Sequence, residues 1–189
     1  MSRWFGELGR KAIHLAALAI PIGSYFMAPA LGRAILASLT AASFVIDVVR
    51  LNQPRIRTFF FLFFGRMVRD HERYNLLGAT YLLLSSLICV HAFAKPVAVA
   101  ALSYLILGDA VAALVGRAIG RVRIFGKTLE GSLACLLVCL AIGAAIPALS
   151  WPQRIVGALM ATVIELVPVP LDDNLRIPLA SGFAMALIH

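Results

Sequence analysis

Residues 96–115 read PVAVAALSYLILGDAVAALV, an apolar run with one acidic residue, Asp109. Its length suffices for a helix to cross the hydrocarbon core of a bilayer, which takes roughly 20 residues. A second apolar run, 131–149, follows the segment Gly126-Lys127-Thr128-Leu129-Glu130. An ionised Asp costs on the order of 3 kcal/mol at the bilayer centre, so charges at membrane segments usually line a functional cavity. We therefore expect the chemistry of this protein around Asp109 and Lys127.

The composition predicts an integral membrane protein, because 61% of the residues are hydrophobic and only 14% are charged. The length of the apolar runs, with little strict alternation, favours helices over a barrel. We predict an all-α polytopic protein with about seven transmembrane helices and one catalytic domain, residues 1–189. The predicted spans are 12–30, 34–49, 78–94, 96–115, 131–149, 155–170 and 177–188.

Basic residues divide unequally between the two sides of this arrangement. If the N-terminus is cytoplasmic, 14 of the 17 lysines and arginines fall on that side, and only Arg33, Lys95 and Arg154 fall on the other. This division obeys the positive-inside rule. It predicts a cytoplasmic N-terminus and a cytoplasmic active site. Topology and attraction to anionic lipids explain the net charge of +8, so nucleic acid is not an expected partner.

The interruption between residues 50 and 75 contains the block Phe59-Phe60-Phe61-Leu62-Phe63-Phe64, flanked by arginines. The block is too short to span a bilayer. We expect it to lie among the cytoplasmic headgroups, with its arginines on lipid phosphates. The alternative is that it forms the rim through which a lipid substrate enters.

The triplet Gly126-Lys127-Thr128 does not belong to a P-loop, because Arg121 stands where that motif needs a glycine and no strand is expected before it. The physical ingredients of a phosphate site are nevertheless present. Gly126 allows close backbone approach, Lys127 supplies a positive charge, and a helix N-terminus follows near Leu129. The alternative is that Lys127 is a topology signal and Thr128 a helix cap. The proximity of Arg117 and of several carboxylates favours the phosphate site.

Three aspartates are the natural candidates for a magnesium site, because Mg²⁺ in nucleotide enzymes is held by one or two carboxylates plus phosphates. They are Asp109, Asp172 and Asp173, with Glu130 and Glu165 behind them. The Asp172-Asp173-Asn174 sequence also suits a turn between two helices.

Several motifs together resemble the CTP-dependent polyprenol and diacylglycerol kinase family, which includes dolichol kinase, phytol kinase and the yeast-type diacylglycerol kinase. These motifs are Gly108-Asp109-Ala110 with Gly116 and Gly120, Lys127 to Ser132, Asp172-Asp173-Asn174-Leu175 with Pro178, Arg10-Lys11-Ala12-Ile13-His14, and Glu72 with Gly78-Ala79-Thr80-Tyr81. The resemblance implies CTP as donor, Mg²⁺ as cofactor and a membrane lipid alcohol as acceptor. The stretch from Asp109 to Gly131 also resembles phosphatidate cytidylyltransferase, but the longer C-terminal signature of that enzyme is absent.

The resemblance implies an in-line phosphoryl transfer, which depends on positioning and charge neutralisation. Asp109 with Asp172 or Asp173 would hold Mg²⁺, and Asp173 or Glu130 would orient or deprotonate the acceptor hydroxyl. The expected nucleotide and phosphate site comprises Lys127, Thr128, Arg117, Gly126 and Asn174. Four further candidates are His14, Lys11, Asp47 and Glu72. A transporter would instead need midplane carboxylates and repeated halves. A homo-oligomer is compatible with the sequence.

Overall fold

The computed structural model describes residue 9 and residues 11–188. Its helices are α1 (Ala19–Phe26), α2 (Pro29–Asn52), α3 (Pro54–Phe64), α4 (Gly78–Ala92), α5 (Lys95–Ser103), α6 (Asp109–Ile119), α7 (Leu129–Ala144), α8 (Trp151–Leu166) and α9 (Asp173–Ala186). A 3-10 turn covers His71–Arg73, a π-helical turn covers Tyr104–Gly108, and the two-residue strands β1 (Arg123–Ile124) and β2 (Lys127–Thr128) pair antiparallel. The helical prediction is confirmed, whereas the hairpin was not predicted.

A central helix organises the core. Helix α5, the π-helical turn and α6 form one continuous apolar segment, Lys95–Ile119, against which α1, α7 and α9 pack. Its middle is inaccessible, since Tyr104, Leu105 and Ile106 are each at most 1% exposed. The wider π turn ends at Gly108, so Asp109 follows directly at the start of α6. π-Helical turns inside α-helices are frequent at functional sites.

The outside of the protein is apolar in a way that suits lipid. Two of the described helices are long and apolar enough to cross a membrane, Pro29–Asn52 and Lys95–Ile119. Three shorter apolar helices accompany them: Lys11–Phe26, Gly78–Ala92 and Leu129–Ala144. Large apolar side chains are widely exposed on several helices, which in a soluble monomer would be unfavourable. A membrane protein is therefore supported, while the count of seven spans stays a prediction.

Prolines account for two differences between predicted and observed boundaries. The first predicted span ran through residue 30, but the helix ends at Phe26 and the chain breaks at residues 27–28, because Pro29 begins α2. A turn at residues 17–18 interrupts the same span earlier. The sixth predicted span ran through residue 170, but α8 ends at Leu166. Pro168 and Pro170 follow in the connection to α9, where proline cannot continue a helix.

Candidate active site

A cavity of about 1180 Å³ brings most of the predicted site residues together. This exceeds the 300–1000 Å³ that is typical of small-molecule pockets. The predicted residues that line it are Lys11, His14, Glu72, Asp109, Arg117, Gly126, Lys127, Thr128, Asp173 and Asn174. Asp47, Glu130 and Asp172 are not among its lining residues. Residues from distant parts of the chain therefore meet in one place.

The β1–β2 hairpin positions Lys127. Its loop is Phe125-Gly126, with φ values of 51° and 84°, as the type I′ turn of a two-residue hairpin requires. Gly126 is thus needed for the turn. Thr128 ends the hairpin and caps α7, because its hydroxyl accepts a hydrogen bond from the Gly131 N–H at 3.2 Å. The alternative interpretation, in which Thr128 is a helix cap, therefore describes its hydroxyl, and Thr128 also lines the cavity. Its role in phosphate binding stays a prediction.

Two glycines let α6 approach this hairpin and α7 closely. A Cβ added to Gly116 would lie 2.6 Å from the hydroxyl oxygen of Thr128. A Cβ added to Gly131 would lie 2.7 Å from the carbonyl oxygen of Ala112. Such distances are below any normal contact, so only glycine fits. The close crossing brings the helix that carries Asp109 against the hairpin that carries Lys127.

Lys127 lies between two carboxylates. Its ammonium nitrogen is 2.7 Å from Oε1 of Glu165 and 3.4 Å from Oδ2 of Asp173. It also donates a hydrogen bond to the backbone carbonyl of Glu165. The Lys127 side chain remains 33% exposed, while that of Glu165 is 6% exposed. The lysine therefore links the ends of α8 and α9 and still presents positive charge to the cavity.

The two adjacent aspartates of the C-terminal motif point in different directions. Asp172 is the N-cap of α9, where its Oδ1 accepts from the Asn174 N–H at 2.9 Å, and its Oδ2 is 4.0 Å from Arg69. Asp173 instead lines the cavity and accepts hydrogen bonds from Arg176. The turn interpretation therefore describes Asp172, and Asp173 is the acidic residue presented to the site.

Asn174 joins two helices at the cavity. Its side-chain amide donates to the carbonyl of Gly78 at 3.2 Å, and its own carbonyl accepts from Ser85 at 2.7 Å. Both bonds connect α9 to α4. Asn174 consequently holds Asp173 in place besides lining the cavity.

Asp109 lies beside His14, which belongs to the first described helical segment. Its Oδ2 is 3.8 Å from Nε2 of His14, and its side chain is 35% exposed. Arg117, two turns further along α6, donates to the carbonyl of Ala113 at 3.1 Å and also lines the cavity. Asp109 is thus an accessible carboxylate. Arg10, which preceded His14 in the sequence motif, lies outside the described residues.

Glu130 supports the hairpin rather than the cavity. Its Oε1 accepts from the Val122 N–H at 3.3 Å. Backbone hydrogen bonds, first from Glu130 itself and then from Arg121 and Val122, lower the pKa of Glu130 below its ordinary value. A carboxylate with a lowered pKa is a weaker base. The geometry consequently gives no support to Glu130 as the residue that deprotonates an acceptor.

Asp47 stabilises the connection between α3 and α4. It is fully buried, and Arg50 donates to its Oδ1 at 2.6 Å. Its Oδ2 accepts from the Leu77 N–H at 2.8 Å and from the Thr80 hydroxyl at 2.7 Å. Arg50 in turn donates to the carbonyl of Asn75 at 2.8 Å. Asp47 therefore ties the connection between α3 and α4 to α2.

Glu72 lies in the connection between α3 and α4 and also stabilises it. Its two carboxylate oxygens accept from the N–H groups of Arg69 at 2.7 Å and Gly78 at 3.0 Å. Among the described residues, Glu72 forms a group of possible metal ligands with His71 and Asp172, all within 4.8 Å of one another. Asp109 and Asp173 do not belong to this group, so the three predicted magnesium ligands are not collected into one compact cluster.

The cavity also contains residues that the sequence did not single out as site residues. They are Arg69 and Arg123, and the aromatic residues Phe60 and Phe64 from α3. The cavity also contains Glu165, which was expected only behind the three aspartates, and Ser132, which ends the Lys127 to Ser132 motif and had no assigned role. Glu165 had a usable signal, since a carboxylate inside an apolar segment is costly. Apart from its place in the motif, Ser132 had no signal of its own, because serine hydroxyls are common in membrane helices.

Fold and site together define a helical membrane-type protein with a large cavity that is lined by both charged and apolar residues. Two relatives are similar to it over almost the whole chain. An uncharacterised protein of Rickettsia prowazekii (strain Madrid E) is 29% identical over 185 residues, which cover 92% of this chain and 90% of that protein. A probable chloroplastic phytol kinase of Triticum aestivum is 30% identical over 210 residues, which cover 96% of this chain and 67% of that protein.

The chain therefore belongs to the same family as this probable phytol kinase. The kinase family predicted from the motifs is confirmed to that extent. No protein-family model matches the chain. No solved structure matches it significantly.

Proposed function

We propose that this protein is a membrane lipid-alcohol kinase that transfers the γ-phosphoryl group of CTP, with Mg²⁺, to the hydroxyl of an isoprenoid alcohol or diacylglycerol. The family relationship to a probable phytol kinase supports a lipid kinase. The observation that carries the proposal is the cavity, which is lined by cationic and acidic side chains together with many apolar ones.

The cavity lining matches the two halves of a lipid alcohol. Its apolar part includes Ile46, Phe60, Phe64, Leu82 and Leu83. These side chains come from α2, α3 and α4, away from the hairpin in sequence. A hydrocarbon chain gains roughly 0.8 kcal/mol for each CH₂ group that it buries. These apolar residues suit the tail of the acceptor, and the charged residues of the cavity suit its head and the nucleotide.

The cationic residues of the cavity suit a triphosphate. Lys11, Arg117, Arg123 and Lys127 line the cavity and supply positive charge. The N-terminus of α7 follows Lys127 directly, and a helix N-terminus favours anions. Phosphoryl transfer is accelerated chiefly by positioning and by neutralising the phosphate oxygens. We assign these groups to nucleotide binding.

Asp109 and Asp173 fit a magnesium ion by the chemistry of their donors. Both carboxylates line the cavity, and their side chains are 35% and 30% exposed. Mg²⁺ prefers oxygen ligands and takes one or two carboxylates besides phosphates. When bound, it would neutralise charge on the β- and γ-phosphates. Asp172 is occupied as the cap of α9, so we assign it a positioning role.

In the proposed reaction the acceptor hydroxyl oxygen forms a bond to the γ-phosphorus while the bond between that phosphorus and the β-phosphate oxygen breaks. CDP leaves, and the hydroxyl proton passes to a carboxylate of the cavity. Lys127 and Arg117 hold the phosphate oxygens during the transfer. The apolar residues of the cavity would hold the acceptor in line with the leaving group.

A donor and acceptor panel tests this function. Purified protein in lipid nanodiscs would receive CTP, ATP, GTP or UTP together with phytol, geranylgeraniol, diacylglycerol or dolichol, and mass spectrometry would detect the lipid phosphate. We expect CTP to be the best donor, chelation by EDTA to stop the reaction, and the shorter acceptors to be used before dolichol. Conversion of phosphatidic acid to a cytidine-containing lipid, with no lipid phosphate formed, would contradict the proposal.

A further inference from the structure

Two buried polar atoms in the cavity wall have no hydrogen-bond partner among the described residues. They are Oε2 of Glu165 and the hydroxyl oxygen of Ser132. Glu165 is 4% exposed and Ser132 is 5% exposed, and both line the cavity. Buried polar groups are nearly always hydrogen-bonded, because leaving one unsatisfied is costly. This pair therefore points to a ligand.

The two atoms come from facing positions of neighbouring helices. Helices α7 and α8 pack against each other and run antiparallel, joined by the short connection 145–150. Cys135 on α7 contacts Thr162 on α8 through their side chains. Ser132 precedes Cys135 by three residues on α7, and Glu165 follows Thr162 by three residues on α8. Since residues three apart share a helix face, Ser132 and Glu165 lie opposite each other.

The chemistry of the pair defines the group that would satisfy it. Oε1 of Glu165 already accepts from Lys127 at 2.7 Å, so Oε2 is the carboxylate oxygen that is left to accept from a donor. The Ser132 hydroxyl can donate or accept. An alcohol can donate to Glu165 and accept from Ser132 at the same time. A phosphate dianion has only acceptors and would place its charge beside the carboxylate.

We propose that Ser132 and Glu165 form the subsite that binds the hydroxyl of a neutral lipid alcohol and disfavours the corresponding phosphomonoester. This proposal rests on the proposed function, because it specifies the acceptor class of the same cavity. It also gives a physical reason why an alcohol, and not phosphatidic acid, is the substrate. A hydrogen bond to a charged group contributes enough for its loss to weaken binding about 10- to 100-fold.

A binding experiment without nucleotide tests the subsite independently of catalysis. The protein in nanodiscs would be labelled with a photoreactive isoprenoid alcohol, and unlabelled alcohol or its phosphate ester would compete. We expect the alcohol to compete at least 10-fold better than the phosphate. In Ser132→Ala, labelling should weaken about 10-fold while thermal stability stays level, because the lost hydroxyl has no partner. In Glu165→Gln, alcohol binding should weaken and the preference over the phosphate should shrink.

The matched controls are Cys135→Ala and Thr162→Ala, which alter the same helix faces one turn away and do not line the cavity. Both should label like the wild type. Equal competition by alcohol and phosphate in the wild type, or unchanged labelling of a folded Ser132→Ala variant, would overturn the subsite. Selective alcohol binding without any phosphate transfer from a nucleotide would support the subsite and contradict the kinase function instead.

Discussion

Replacing Lys127 by methionine measures how much the charge that links the hairpin to α8 and α9 contributes to the stability of the protein. The variant keeps the length of the side chain and removes the ammonium that lies 2.7 Å from Glu165. Exposed ion pairs contribute about 0–1 kcal/mol, whereas removing one partner of a buried pair costs about 3–5 kcal/mol. Lys127 is one-third exposed and Glu165 is nearly buried, so an intermediate loss of roughly 2–3 kcal/mol is expected.

The size of that loss makes it measurable by thermal unfolding in detergent. For a chain of this length, 1 kcal/mol corresponds to about 2–4 °C in Tm, so Lys127→Met should unfold roughly 5–10 °C below the wild type. Because the cost arises from the carboxylate left behind, adding Glu165→Gln should restore most of the lost stability. Arg123→Met removes an exposed cation from the same hairpin and should leave Tm nearly unchanged. Nucleotide binding should remain weak in the double variant, since the proposed phosphate contact is still missing.

Two results would refute this reasoning. A Lys127→Met variant as stable as the wild type would show that the ion pair does not hold α8 and α9 to the hairpin. A double variant less stable than either single variant would show that Glu165 is stabilised by something other than Lys127.

Three further predictions follow from the same contacts. Asp109→Asn should abolish phosphate transfer while Tm stays within about 3 °C of the wild type. The reason is that the partly exposed carboxylate of Asp109 is proposed to bind the magnesium ion of the nucleotide. Turnover and thermal unfolding of the same variant check this. Asp47→Ala should destabilise the protein by about 3–5 kcal/mol, because it leaves Arg50 buried and unpaired; a variant that unfolds like the wild type would contradict it. Cysteines introduced at Arg123 and Pro152 should react with impermeant maleimide from opposite sides of the membrane, as the charge distribution predicts; labelling of both from one side would exclude the proposed orientation.

The sequence predicted the composition of the cavity better than its internal geometry. Asp109, Lys127 and Asp173 could be identified because charges beside apolar runs are costly, and they do line one cavity. The order of the apolar runs also predicted that these three residues lie on the same side of the membrane. Which oxygen contacts which nitrogen depends on tertiary packing, and no local pattern contains that information.

The roles of several residues could not be predicted for the same reason. Asp47 and Glu130 are carboxylates beside apolar segments, as a site residue would be. Asp47, however, is fully buried and paired with Arg50, and Glu130 accepts a hydrogen bond that stabilises the hairpin. The hairpin itself has strands of two residues, too short for any alternation pattern. Gly126 was expected to approach phosphate, and its positive φ shows that the turn alone already requires glycine there.

The most direct test of the account uses CTP that carries ³²P at the γ-phosphorus and ³H in the cytosine ring, supplied with a lipid alcohol and Mg²⁺. If the cavity transfers the γ-phosphoryl group, the extracted lipid contains ³²P and no ³H, and CDP is the released nucleotide. A lipid that contains ³H, with ³²P found in pyrophosphate, would show attack at the α-phosphorus and would contradict the account.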